Sequence, residues 1–558
     1  MEWHEMTFPP DAQIDKIFAE FDRCDSPGCA LAVMMGDHLI YARGYGIADL
    51  DHNIPITPKT VFHAASLAKQ FTAMCILLLM ERRCLGLDDS VRVHLSQDLL
   101  SKLPPELGAQ ITIRDILGHM SGIRDQFVLI TMAGWRLSDD VVTRDDVLNL
   151  ARRMRSLDFK PRMDCLYSNT GYMLAGLIVE CVSGVSLSEF AYRNIFKPLG
   201  MKNTRFYESH GLIVNDRAFG YQRISDQHFQ LRLPNYDLTG PTNILTTVED
   251  LSLWDRNFEE KTVGGDVALS LMQTPSTLSN GAKVSIVLAP GLAVNYGLGL
   301  MISQYRGLNT IEHNGRDAGY RSHLIRFPDQ HFAVACLCNL ALPTEVYLRN
   351  LALRVADIYL ADQLGSVSTM SKTAFSLEGE LEAIVGVYRN ADAESAHISI
   401  SQGKITLSFG QFSGVLLSIG GNRFQLIGAS QPAELVFAAS GASAKPDFTL
   451  QVKGGRTLVF HALPPATPAN LAEYTGRYYS DELDATYNVT VEGQSLAIAR
   501  SRYETAILNP FLPDEFTANL SNLLAFCVVT FLRDTANAII GFQIDALNIY
   551  GFRFTKSP

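Results

Sequence analysis

Two hydrophobic periodicities share the chain, and its character changes near residue 365. In the first part, Ala30 to Met35 and Leu39 to Gly44 read as two strands joined through Gly36-Asp37, a pair suited to a tight hairpin. Ser66 to Cys84 reads as a helix that is apolar around most of its circumference, which marks it as buried. Further helices are predicted over Asp145 to Arg155, Thr170 to Ser183, Leu187 to Ile195, Val248 to Phe258 and Pro343 to Gln363. Late strands are predicted over Tyr296 to Gln304, Thr310 to His313, Tyr320 to Phe327 and His331 to Asn339. Strands at both ends with helices between them predict an α/β (α+β) domain over residues 1–365, its sheet closed by early and late segments.

Beyond the Ser- and Thr-rich stretch Ser366 to Thr373, short alternating strands with Gly and Asn turns replace the helical period. Leu381, Gly386 and Tyr388 are matched ninety residues later by Leu471, Gly476 and Tyr478, and the turn glycine Gly403 by Gly493. The Pro-rich stretch Leu463 to Pro468 separates the copies, so two small antiparallel β-barrel domains are expected, over 374–465 and 469–558. Chance similarity between two β segments is the competing explanation.

A chain of 558 residues exceeds one ordinary core, and 47% hydrophobic against 19% charged residues is enough apolar surface to exclude global disorder. The net charge of -11, with no run of Lys and Arg, makes nucleic acid an unsuitable partner. Met1 to Pro10 has neither a basic segment nor an apolar core of the kind that directs export. Ala73 to Met80 and Phe332 to Leu342, the most apolar stretches, fall short of the roughly 18 residues that span a bilayer, so no membrane contact is expected. The nine cysteines are odd in number. Cys24, Cys29, Cys75, Cys165, Cys181, Cys336, Cys338 and Cys527 mostly sit in apolar runs and read as reduced core thiols, which suits a cytoplasmic protein. Cys336 and Cys338 would share one strand face without metal-ligand spacing, so neither metal nor cofactor is expected.

Three short patterns carry chemistry. Ser66-Leu67-Ala68-Lys69 opens the buried helix, placing a hydroxyl and an amine on one face near the helix amino terminus. Burial disfavours the ammonium form, so Lys69 there can act as a base towards Ser66. A helix cap with a snorkelling lysine explains the same spacing. Ser401-Gln402-Gly403-Lys404 repeats the pattern inside an alternating β segment, where positions three apart face opposite sides. Tyr167-Ser168-Asn169 precedes a predicted helix and offers a phenol that can pass protons and an amide that can bind both Lys69 and a substrate carbonyl. Its decoys, Tyr192-Arg193-Asn194 and Tyr388-Arg389-Asn390, read as core tyrosines with exposed polar neighbours. His313-Asn314-Gly315 ends a predicted strand, and its glycine would allow close approach of a substrate backbone.

The order of these patterns, followed by Gly319 and the late strands, resembles the penicillin-recognising serine hydrolases: class C β-lactamases, D-alanyl carboxypeptidases, D-aminopeptidases and related esterases, which share Ser-x-x-Lys, Tyr-x-Asn and Lys/His-x-Gly. The segments Ile111 to Gly122, Gly200 to Thr204 and Thr246 to Trp254 are similar as well, and the resemblance covers about residues 10 to 360. It implies a β-lactamase-like catalytic domain with an antiparallel sheet flanked by helices. It makes Ser66 the nucleophile, Lys69 its base and Tyr167 the proton shuttle, with Asn169, His313 and Gly315 positioning substrate. The backbone N–H groups of Ser66 and Arg316 would form the oxyanion hole.

Where β-lactamases and carboxypeptidases usually carry lysine, this chain has His313, so a fixed cation for a substrate carboxylate is lost. The histidine form resembles D-aminopeptidases and esterases, and the two trailing barrels resemble the D-aminopeptidase arrangement. There a loop of the last domain selects substrates with a free amine; here it would fall within Asp514 to Leu524. The function implied is release of N-terminal D-amino acids from small peptides or amides through an acyl-enzyme. A broad esterase or acyltransferase acting on small esters is the alternative, and a non-catalytic penicillin-binding-like protein the lesser one. A homodimer is compatible with all three.

Overall fold

The structure, a computed structural model, describes residues 11–101, 110–289, 292–342, 346–365, 384–390, 395–401, 404–408, 414–427, 433–438, 445–452, 457–463, 470–521, 524, 527–546 and 549–557. Two compact units emerge. The first comprises residues 1–130, 135–284 and 295–367; the second comprises residues 131–134, 285–294 and 368–558.

The first unit contains helix α1 (Asp11–Phe18), the hairpin β1 (Cys29–Met35) and β2 (His38–Tyr45), and helices α2 (Ala68–Glu81), α3 (Asn169–Ser183) and α4 (Val248–Glu260). Strands β3 (Met301–Tyr305), β4 (Leu308–Asp317), β5 (Tyr320–Phe327) and β6 (Phe332–Cys338) follow, then helix α5 (Tyr347–Tyr359). The strands lie in the order β3-β4-β5-β6-β1-β2, antiparallel throughout. Cys29 stands opposite Cys338 and Met35 opposite Phe332, so early and late segments close the sheet as expected. β1 and β6 are buried along their whole length. A strand covered on both faces has no polar side to alternate with, which is why each reads as an unbroken apolar run. Ile14 and Phe18 of α1 and Leu348, Leu351 and Val355 of α5 share one core with Leu31, Val33, Val334 and Cys336. Helix α4 packs on β1 and β6 outside that cluster.

Several boundaries differ from the periodicity. Tyr296 to Gln304 is not one strand: Tyr296 faces Met301 across a tight turn. Gly299 sits in that turn at φ +79°, and a Cβ there would meet the Lys69 carbonyl at 2.8 Å. The helix starting at Leu187 ends at Ala191 and continues as a π turn over Tyr192–Phe196, leaving Tyr192 exposed rather than in the core. β4 runs on to Asp317, four residues past the predicted end. The cysteines are all unpaired, yet Cys24, Cys84 and Cys181 are exposed, so not every thiol is a core one. Among the described residues no single helix is long and apolar enough to cross a membrane.

The second unit holds two closed antiparallel barrels of eight strands, Gly386–Asn390 to Thr457–Leu463 and Gly476–Ser480 to Ile549–Lys556. The repeat has a structural basis: the Tyr388 hydroxyl donates to the Ile384 carbonyl at 2.7 Å and the Tyr478 hydroxyl to the Tyr474 carbonyl at 2.6 Å. Both tyrosines are fully buried, tying each barrel's first strand to the turn before it. Leu381, Gln402 and Gly403 lie outside the described residues. Ser401 and Lys404 do not share a strand; they pair across a hairpin, one ending a strand and the other starting the next. In the Asp514 to Leu524 segment, Asp514 accepts from Arg533 at 2.7 Å and from the Tyr474 hydroxyl at 2.8 Å, and Glu515 pairs with Arg389 at 3.1 Å. Residues 131–134 belong to this unit, with the Thr131 carbonyl accepting from Arg500 and the Met132 carbonyl from the Tyr487 hydroxyl.

A buried ion pair anchors β4 to α5. Arg349 donates to both oxygens of Glu312, at 2.7 and 2.9 Å, and the Ser303 hydroxyl donates to Oε1 at 2.9 Å. Burial pushes the Glu312 pKa up, but His323, whose Nε2 lies 3.1 Å from Oε2, and Arg349 outweigh it and hold the pKa down at about 2. Removing the charge from one partner strands the other, so Glu312→Gln should destabilise the first unit by about 3–5 kcal/mol. Trp3, Trp135 and Trp254 all precede residue 365, so urea unfolding followed by tryptophan fluorescence reads this unit. Because the folded pKa is depressed, the stabilisation is complete above about pH 4.5 and is lost as pH falls towards 2. The difference between wild type and Glu312→Gln should therefore shrink in acid.

Candidate active site

Ser66 sits in the short 3-10 turn Ala65–Leu67 that runs directly into α2. Ala65, just before it, has φ +49°, a left-handed conformation that costs a side-chain-bearing residue on the order of 1 kcal/mol or more. Fixed contacts hold the turn. The Ala64 N–H donates to the Ile244 carbonyl at 2.9 Å, and the Ser322 hydroxyl donates to the Ala64 carbonyl at 2.7 Å. Gly315 of β4 lies so close that a Cβ on it would stand 2.4 Å from the Ala64 carbonyl oxygen and 3.1 Å from the Ala65 Cβ. The direction a side chain would take from Gly315 is thus filled by the chain leading into Ser66.

Lys69 is fully buried, and its Nζ lies 3.0 Å from Ser66 Oγ, 2.8 Å from Asn169 Oδ1 and 2.8 Å from the Pro241 carbonyl. A neutral amine has two N–H bonds and one lone pair. The Pro241 carbonyl can only accept. Asn169 is fixed with its oxygen towards Lys69, because its Nδ2 and its backbone N–H both donate to Asp125 Oδ2, at 2.8 and 2.7 Å. With both N–H bonds taken by these acceptors, the lone pair faces the Ser66 hydroxyl. Burial pushes the Lys69 pKa down to about 7, while Asp125 and Asp317 pull it up, so much of the amine is free base near neutral pH. The Tyr167 ring lies 4.7 Å from Nζ.

Tyr167 packs 4.3 Å from the ring of His119, which also lies 4.6 Å from Tyr296. His119 Nδ1 accepts from the Ser168 N–H at 3.1 Å, and burial pushes its pKa well below the usual value, so it is a neutral spacer that sets the place of Tyr167. Ser168 caps α3, accepting from the Gly171 N–H, which fixes where Asn169 enters the helix. His313 is uncharged: burial, with Lys69 nearby, pushes it to about 3. Its Nδ1–H donates to the Asn314 carbonyl at 2.7 Å, and its Nε2 accepts from the Tyr296 hydroxyl at 3.1 Å. Arg316, next to Gly315, is exposed. β3 pairs with β4 only as far as Glu312, so among the described residues 313–317 pair with β5 alone.

The structure therefore brings Ser66, Lys69 and Asn169 into one hydrogen-bonded set, places Tyr167 over Lys69 with its ring 6.5 Å from His313, and seats Gly315 against Ala64 and Ala65. Sequence reasoning did not single out Asp125, His119 or Pro241. His119 lies inside the Ile111 to Gly122 segment and Asp125 just beyond it, which was the only available signal; Pro241 left none.

The beta-lactamase family model matches residues 14–357. Penicillin-binding protein 4* of Bacillus subtilis is 29% identical over 332 residues, 57% of this chain and 69% of that protein. A D-aminopeptidase of Gluconobacter oxydans is 24% identical over 476 residues, 84% of this chain and 82% of that protein. An octameric penicillin-binding protein homologue from Pyrococcus abyssi has a similar fold, with a TM-score of 0.55 at 22% identity, covering 81% of this chain and 99% of that one.

If neutral Lys69 is the base, kcat/KM for a neutral ester should fall about tenfold per pH unit below about 7 and level off above it. A flat profile from pH 5.5 to 8.5 contradicts the assignment. Asp125→Asn should move that acid limb to lower pH, because the Asp125 charge holds the Lys69 pKa up, and should lower the plateau by freeing the Asn169 amide to turn. A pH-rate series on the variant reads both effects.

Proposed function

The chain belongs to the beta-lactamase family and is a serine hydrolase, and from that premise we propose that it releases N-terminal D-amino acids from small peptides or amides. The observation that carries this reading is the Lys69 amine, clamped so that its lone pair meets the Ser66 hydroxyl. In the proposed cycle Lys69 takes the Ser66 proton as Oγ attacks the substrate carbonyl, forming a tetrahedral oxyanion that the Ser66 and Arg316 N–H groups would stabilise. Collapse breaks the C–N bond, and the departing nitrogen takes the proton by way of Tyr167 and Lys69. Water then adds to the ester, gives a proton back to Oγ, and the free acid leaves.

The uncharged His313 supports this substrate class over penicillins and peptides ending in a free carboxylate. Both of its ring nitrogens are engaged within the protein, so it offers neither charge nor a spare donor to such a group. The D-configuration and the amide bond are supported by the Gluconobacter relative, whose name is D-aminopeptidase. A cytoplasmic protein free of nucleic acid and membrane, self-associated as a homodimer, belongs to the same reading. The acidic charge supports the exclusion of nucleic acid, and the octameric state of the Pyrococcus protein supports self-association.

Under this proposal D-alanyl p-nitroanilide is turned over and its N-acetyl derivative is not. The esterase alternative predicts the reverse preference, with p-nitrophenyl butyrate the better substrate and no gain from a free amine. Release of p-nitroaniline from the two anilides, compared with p-nitrophenol release, decides between them. Ser66→Ala should abolish every one of these activities, a loss of 10⁴-fold or about that size, with no acyl adduct on the intact mass.

A further inference from the structure

Along β4, His313, Gly315 and Asp317 alternate onto one face, the face that meets the turn carrying Ser66. Asp317 Oδ2 accepts from the Thr242 hydroxyl at 2.5 Å, and the His63 ring stands 3.9 Å away. His63 brings no charge. Burial pushes its pKa to about 3, its Nε2–H goes to Asn243 Oδ1 at 3.1 Å, and its Nδ1 accepts from the Ala65 N–H at 3.3 Å. Among the described residues the other oxygen, Oδ1, has no hydrogen-bond partner, and the side chain keeps 15% of its surface open. The nearby cations are engaged elsewhere: Arg321 with the Ala318 and Tyr320 carbonyls, Lys69 with its three partners.

Two other carboxylates of the region show the contrast. Asp125 is filled by Asn169 and by the Phe127 and Val128 N–H groups, and Glu312 by Arg349 and Ser303. Neither can take a ligand without breaking the fold. Asp317 has, among the described residues, a vacant oxygen, a hydroxyl that orients it, and a link to the Lys69 site through Thr242 and Pro241. Thr242, which orients it, follows Pro241, whose carbonyl holds Lys69. In an aminoacyl substrate a single carbon separates the ammonium nitrogen from the carbonyl that Ser66 attacks, so the group that binds it must stand beside the acylation centre.

We propose that Asp317 is a specificity-determining residue, its Oδ1 accepting from a substrate ammonium group beside Ser66. The chemical identity of the substrate rests on the function proposed above; the cation preference of the site does not. Burial pushes the Asp317 pKa up to about 8 against the pull of Lys69 and Arg321, and an arriving ammonium would favour its charged form. The site would thus favour a cation over an apolar group of the same size.

The test is competition against p-nitrophenyl butyrate hydrolysis at pH 6.5, using D-alaninamide and isobutyramide, which differ by an ammonium in place of a methyl group. The wild-type enzyme should bind D-alaninamide at least about tenfold more tightly, and in Asp317→Asn the two inhibition constants should converge. Asp317→Glu, keeping the charge on a longer arm, should restore part of the preference. Equal constants in the wild type, a comparison needing no variant, overturn the proposal. So does a preference that survives in Asp317→Asn. If the preference is present and Asp317-dependent while D-alanyl p-nitroanilide is not cleaved, the aminopeptidase reading falls and the ammonium site stands.

Discussion

The amine of Lys69 is buried where water cannot satisfy it, so its hydrogen bonds must come from the protein, and their direction decides what the amine can do. Two of its neighbours, the Pro241 carbonyl and the oriented Asn169 oxygen, accept and cannot donate. The third, Ser66, can do either. That asymmetry leaves the lone pair of the buried amine aimed at one hydroxyl. The same burial lowers the cost of losing the proton, so geometry and protonation state have a common cause.

This arrangement depends on parts of the chain that are distant in sequence. Asp125 fixes the Asn169 amide, α3 carries Asn169, and the stretch from Gly240 to Asn243 supplies the carbonyl. The Thr72 hydroxyl donates to the Gly240 carbonyl at 2.8 Å, which pins that stretch to α2 one turn beyond Lys69. β4 presses Gly315 against the strained turn before Ser66, and the Glu312–Arg349 pair fixes β4 to α5. The sheet therefore supplies the rigidity that keeps an unfavourable backbone conformation next to Ser66.

Three carboxylates in this unit do different work because their partners differ. Glu312 is kept ionised by His323 and a guanidinium, Asp125 is saturated by N–H donors, and Asp317 has, among the described residues, a hydroxyl and an open oxygen. Burial alone raises the pKa of each; the partners decide whether the charge survives. The neutral histidines follow the same logic with the opposite sign. His63, His119 and His313 are all buried and all pushed down, so they act as fixed donors and acceptors rather than as charges.

Much of this was legible in the sequence wherever the relevant contact is local. Ser66 and Lys69 share a helical face because they are three residues apart, Tyr167 and Asn169 flank a cap that starts a helix, and the unbroken apolar runs of β1 and β6 mark strands covered on both faces. The ninety-residue repeat announced two barrels for a similar reason, since each copy carries its own tyrosine bond to the preceding turn. The tertiary structure alone decided that Asp125 orients Asn169, that Pro241 completes the lysine clamp, that Gly315 makes room for Ala64 and Ala65, and that Asp317 is left with an oxygen unpartnered among the described residues. Those contacts join residues tens to hundreds of positions apart, and no periodicity records them, because they arise only when separate elements pack and each buried polar atom must find a partner.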